Sequence, residues 1–205
     1  MKTNRSILLI LFLLAWAGIS FPGLPQPSEK GVFTDLESAL AKPAKVRTLI
    51  LNDKNLLTLP ESISGFKNLR SLSVQHNKEL DIKDLFIKAS KLKKLTSLDI
   101  SYCGIKTLPP EVNLLKQLKR LRIGANNLTS LPSEISELTG LRELVFSQDP
   151  DNFRSFQEAE KRKIITALPE CQVLLEDYFG GVHGQYRLGQ KLIRITLNNL
   201  NSFNP

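Results

Sequence analysis

The chain has 205 residues, 37 of them Leu, with 28 Lys+Arg against 20 Asp+Glu, a net charge of +8, two Cys and two His. That length suits one domain with a sizeable core. So few Cys and His exclude a disulfide-dense scaffold and leave little for a structural zinc site, and the apolar content excludes general disorder.

In chain order, the first element is an export layout. Lys2 and Arg5 stand ahead of an unbroken apolar run from Ile7 to Ile19, which is shorter than the roughly 20 residues that span a bilayer core. Ala15 with Ala17, and Gly18 with Ser20, offer cuts after Ala17 or Ser20. Residues 1–20 therefore read as a secretory signal peptide, and the protein is expected to be periplasmic, cell-surface or secreted. No Cys stands just after either cut, which argues against a lipoprotein, and no later stretch predicts a membrane span. Without Lys2 and Arg5 the charge divides into +3 on residues 21–179 and +3 on residues 180–205, whose bases are Arg187, Lys191 and Arg194. So mild a charge on an exported chain predicts no nucleic-acid partner.

Residues 21–45 predict a linker and a capping helix. Thr34 with Glu37 has capping-box spacing, Leu36 and Leu40 share a face, and Pro43 stops the helix.

An internal repeat fills residues 46–149. "VRTLILNDKNLLTLPESISGFKN" opens at Val46, and related copies open at Leu69, Leu95, Leu118 and Leu141, at intervals of 23, 26, 23 and 23 residues. Positions 1, 4 and 6 of the copies hold Val46/Leu49/Leu51, Leu69/Leu72/Val74, Leu95/Leu98/Ile100, Leu118/Leu121/Ile123 and Leu141/Leu144/Phe146. This pattern resembles the leucine-rich repeat, L-x-x-L-x-L-x-x-N/C-x-L with a period of about 20–29 residues. The Leu-Pro steps and the flanks resemble secreted bacterial proteins of that family, of the Bacteroidetes type with LPxxI 23-residue repeats. The resemblance implies an α/β solenoid: a right-handed horseshoe fragment of about five or six parallel strands with helical caps at both ends.

Positions 4 and 6 point to one face of a short strand, and stacked copies form a parallel sheet backed by the returning half of each repeat. Position 9 holds Lys54, Asn77, Cys103, Asn126 and Asp149. The resemblance turns this position inward, where Asn bonds backbone groups leaving the strand. Lys54 departs from that rule and predicts a looser first turn. Leu56, Ile105 and Leu128, then Leu59, Leu108 and Leu131, point inward, followed by Pro60, Pro109 and Pro132 and by Ile63, Val112 and Ile135. The second copy has three extra residues and no Leu-Pro; Leu85, Ala89 and Leu92 there have helical spacing.

Residues 150–179 predict the second cap. Ser155 with Glu158 starts a helix with Phe156, Ile164, Ile165 and Leu168 on its apolar face, Pro169 stops it, and Cys171–Leu175 reads as a last strand. In the tail, "KLIRITLNNL" alternates and is compatible with an added edge strand or with none.

Catalytic and metal signatures fail. Gly184 and Gly189 have the P-loop separation, but Gln190 and Lys191 replace its Lys and Ser/Thr. His76 and His183 share no ligand spacing, and Cys103 and Cys171 stand too many strands apart to pair. No cofactor is expected.

The exposed sheet face is the remaining candidate. Position 2 stacks Arg47, Arg70, Thr96, Lys119 and Arg142 into a basic column, with Arg120 and Arg122 on one strand beside Asp99. Position 8 stacks Asp53, His76, Tyr102, Ala125 and Gln148. Arg and Tyr anchor interfaces, so Arg70, Gln75, His76, Asp99, Tyr102, Lys119, Arg120, Arg122 and Arg142 are the expected protein-binding residues of the concave face. The resemblance implies a non-catalytic recognition module for a protein with an acidic patch. A structural or adhesive envelope protein touching a glycan or surface is the alternative. An enzyme of the ubiquitin-ligase effector type would need a catalytic domain with a reactive Cys after the repeats, which the residues beyond Leu175 do not supply.

Overall fold

The computed structural model describes residues 30–147, 158–176 and 182–186. The export segment 1–20, Gln148, Asp149, Ser155, Phe156, the tail bases and the alternating segment 191–200 lie outside the described residues. The described residues from Gly31 onward belong to one compact unit.

The chain runs β1 (Val32–Phe33), α1 (Leu36–Ala41), β2 (Thr48–Ile50), β3 (Ser71–Ser73), α2 (Ile82–Ser90), β4 (Ser97–Asp99), β5 (Arg120–Arg122), β6 (Glu143–Ser147), α3 (Glu158–Ala167), β7 (Gln172–Glu176) and β8 (Val182–Tyr186). All eight strands join one open sheet in sequence order. β1 to β7 are parallel, and β8 closes the edge of β7 antiparallel. This is the expected leucine-rich repeat solenoid, with more strands than the five or six predicted. β1 carries no repeat pattern and had no periodic signal to betray it. It forms because Gly31, at φ +98°, brings its carbonyl to the amides of Arg47 and Thr48. A Cβ at Gly31 would stand 2.7 Å from the Lys45 carbonyl oxygen, so the turn requires glycine.

Register follows the repeat: Thr48, Ser71, Ser97, Arg120, Glu143 and Gln172 stand side by side. The position-2 carbonyl of each copy accepts two amides from the next, as Arg47 does from Arg70 and Ser71. Behind the sheet, positions 1 and 4 are fully buried in each copy from Val46/Leu49 to Leu141/Leu144. Each fully buried aliphatic side chain contributes about 2 kcal/mol. In three returns Pro60, Pro109 and Pro132 stand extended and lead into 3-10 turns, Glu61–Gly65, Pro110–Leu114 and Ser133–Glu137. Ile63, Val112 and Ile135 fill the layer beneath them. In the second copy the return is α2, as its spacing predicts. Its buried face includes Phe86 and the hydrocarbon stem of Lys88 beside Leu85 and Ala89. Lys88 Nζ donates to the Leu59 carbonyl and pairs with Asp84 at 2.8 Å.

Two local expectations are corrected. The cap of α1 is Asp35, not Thr34: its carboxylate accepts from the Ser38 amide at 2.7 Å and the Ser38 hydroxyl at 2.5 Å. Asp is a stronger cap than Thr, and Asp35, in extended backbone just ahead of Leu36, is the residue whose oxygens reach the first turn. The first turn is also not loose. Asn77 Oδ1 accepts from Lys54 and Leu56 at 3.1 and 2.9 Å, while its Nδ2 donates to Leu51 and Val74. Asn126 does the same for Cys103 and Ile105. Each Asn holds the turn of the copy before its own, so Lys54 needs no polar inward side chain and stands exposed.

Candidate functional site

Strand alternation leaves positions 3, 5 and 7 of each copy on the outer face of the sheet, and there the polar residues bond across strands. Asp99, only 9 % exposed, is the hub. Its Oδ2 accepts from Gln75 Nε2 at 2.6 Å and meets Arg122 Nε at 3.3 Å, and its Oδ1 accepts from the Ser101 amide at 3.0 Å. One carboxylate thus holds a side chain from each of the two copies that flank its own. Asn52 continues the layer by accepting from Ser73 Oγ at 2.7 Å and the Gln75 amide at 2.9 Å. Arg120 pairs with Glu143 on the next strand and holds that carboxyl below the usual carboxylate range.

Position 8 closes the face. Asp53, His76, Tyr102 and Ala125 all have φ between +49° and +60°, a left-handed bend that turns the chain out of the strand once per copy. Bulky residues rarely adopt it; here their amides are held by carbonyls of the next copy, as Tyr102 is by Gly124 at 3.0 Å. The bend aligns the side chains. His76 and Tyr102 stack with ring centroids 4.4 Å apart and planes 11° from parallel. The stack joins residues 26 positions apart, and only their shared repeat position could have announced it.

Of the nine expected residues, Gln75, Asp99 and Arg122 form one network, His76 and Tyr102 a second unit, and Arg120 a third with Glu143, which sequence reasoning had not singled out. Arg70, Lys119 and Arg142 line up with Arg47 as exposed residues at the start of the strands. Asp99 is mostly covered and acts through the groups it holds.

The cysteines are free and buried. Cys103 Sγ takes the position-9 role with a bond to the Val74 carbonyl at 3.3 Å. Burial pushes both thiols up, that of Cys171 to about 11. Cys171 lines a cavity of about 210 Å³ between the Ser136–Leu141 return and the end of α3, with Leu138 and Leu168. Among the described residues, no group of three or more His, Cys, Asp or Glu is placed to hold a metal ion, and no helix is long and apolar enough to cross a membrane.

No family model and no curated protein matches the chain. Among solved structures, a leucine-rich repeat protein of Leptospira interrogans is 28 % identical, with a TM-score of 0.53 over 71 % of this chain and 35 % of its own. An internalin of Listeria monocytogenes is 19 % identical, with a TM-score of 0.46 over 70 % of this chain and 38 % of its own. An internalin C2 of the same organism is 18 % identical, with a TM-score of 0.48 over 67 % and 54 %. The chain spans 35 % of the length of the Leptospira protein. In fold, this chain is a leucine-rich repeat solenoid with a leucine-rich repeat protein among its structural neighbours.

Proposed function

We propose that this chain is an exported, non-catalytic recognition module that binds a protein on the outer, concave face of its sheet. The observation that supports this reading is the cross-strand network. Gln75, Asp99 and Arg122 hold one another in place, and the paired Arg120 and the stacked His76 and Tyr102 stand beside them. Side chains fixed before contact lose little freedom on binding, which favours affinity from a small surface. Arg and Tyr are the types that anchor such surfaces. The two cysteines lend no nucleophile, because their thiols are buried and hard to ionise. The export layout of residues 1–20 and the resemblance to secreted bacterial proteins with LPxxI repeats support the location.

Arg70, Lys119 and Arg142 beside this network favour a partner with an acidic patch. The test is a pull-down from the envelope and medium of the source cells, with the chain and with its Y102A/R120A/R122A variant. A protein captured by the first, lost with the second and released as salt rises supports the reading. Equal capture by both overturns it in favour of a structural or adhesive role.

A further inference from the structure

The bases of the solenoid are segregated to one of its edges. In-register strands place the five connections that enter β2 to β6, residues 42–47, 65–70, 91–96, 114–119 and 137–142, side by side on the edge where the strands begin. Cross-copy bonds tie this edge together: Asn68 Nδ2 donates to the Ala44 carbonyl, Lys94 Nζ to Asn68 Oδ1 and Gln117 Nε2 to the Leu92 carbonyl. These connections hold eleven Lys or Arg and one acid, Glu137, which pairs with Lys116. All eleven bases are exposed. The opposite edge, the turns 52–58, 75–81, 101–107 and 124–130, holds three bases and three acids. A basic composition alone would charge both edges alike.

We infer that this basic edge is a docking surface for an anionic phospholipid membrane. Four strand spacings of about 4.8 Å make the edge about 19 Å long. Adjacent charges then stand within one Debye length of about 8 Å and act together on a charged plane. Eight of the eleven bases are Lys, which is depleted in the cores of protein interfaces but, as a flexible point charge, suits a field of headgroup phosphates. Leu114, which opens one connection, adds an apolar side chain 44 % exposed, but Leu57 on the opposite edge is 65 % exposed, so it is the lysines that single out this edge. Edge-on docking leaves the network around Asp99 open to a protein, and although Arg70, Lys119 and Arg142 border both surfaces, the edge is tested with lysines outside the concave-face set, so this inference can fail separately from the proposed function.

The test is co-sedimentation of residues 21–205, the chain without its export segment, with vesicles of phosphatidylcholine alone or with about 30 % phosphatidylglycerol, so that neither the N-terminal bases nor the apolar run Ile7–Ile19 contributes. The edge variant is K45Q/K67Q/K93Q/K94Q, in which all four lysines are exposed and none is an expected concave-face residue; the control is K54Q/K78Q/K106Q on the opposite edge. The expected result is binding that requires phosphatidylglycerol, falls at about 0.5 M salt, weakens at least about tenfold in the edge variant and persists in the control and in Y102A/R120A/R122A. Equal binding to both vesicles, equal loss in edge and control variants, or binding to soluble polyglutamate or dextran sulfate without vesicle binding each overturns the inference. Circular dichroism of each variant separates loss of fold from loss of binding.

Discussion

Asn77, fully buried, satisfies two amides of the Lys54–Leu56 turn and two carbonyls beside it. Each orphaned buried group costs about 1–3 kcal/mol, so N77A should destabilise the chain by about 3 kcal/mol in urea unfolding, whereas K54A, at an exposed position 9, should change it little. The thiols give a second residue-scale expectation. Cys171 is pushed from the ordinary 9.0 to about 11 by burial, so the fold favours the neutral thiol. That contribution is complete below pH 9 and lost as pH rises toward 11. The stability difference between the wild type and C171A should therefore shrink between pH 9 and 11, and neither thiol should react with a disulfide reagent at pH 8 until the chain unfolds. The inward Asn at position 9 was legible in the sequence. Its allegiance to the preceding copy was not, because spacing shows a role without showing which neighbour receives it.

At the scale of elements, α2 replaces the Leu-Pro return of the other copies and buries a charge, Lys88, where the charges of their returns are not buried. The Lys88 ammonium, with a side chain 10 % exposed, answers the Leu59 carbonyl and the Asp84 carboxylate, and Asp84 holds its pKa above the usual lysine value. K88A leaves both oxygens without this partner, whereas K91A removes one exposed pair with Glu61. Thermal melts should show K88A losing several degrees more than K91A; equal losses would falsify a structural role for the ammonium. The helix was legible from Leu85, Ala89 and Leu92, and β2 to β6 from their leucines, since both faces of those elements follow a fixed period. β1, two residues long, and β8, which pairs without a repeat, have no period to read. The site divides the same way. Which residues stand outside the sheet follows from alternation, but that Asp99 binds Gln75 and Arg122 depends on side-chain conformers that a column of letters does not contain.

For the whole molecule, the one-sided distribution of bases has a thermodynamic cost as well as a use. Five connections of like charge held a strand apart repel one another, and dissolved ions relieve this over a Debye length that falls from about 30 Å at 0.01 M to about 3 Å at 1 M. The melting temperature should rise by about 3–5 °C between roughly 0.01 and 0.5 M salt, and K45Q/K67Q/K93Q/K94Q should flatten that rise; a melt independent of salt in the wild type would remove the argument. The asparagine brackets carry a different consequence, one of direction. Because Asn77 fastens the turn at Lys54 and Leu56, and Asn126 the turn at Cys103 and Ile105, neither of these turns is complete until the following copy exists. In a chain that emerges N-terminus first on export, the newest copy is thus unfastened, and the solenoid matures one repeat behind its own emergence, with β7 and β8 arriving last to finish the row.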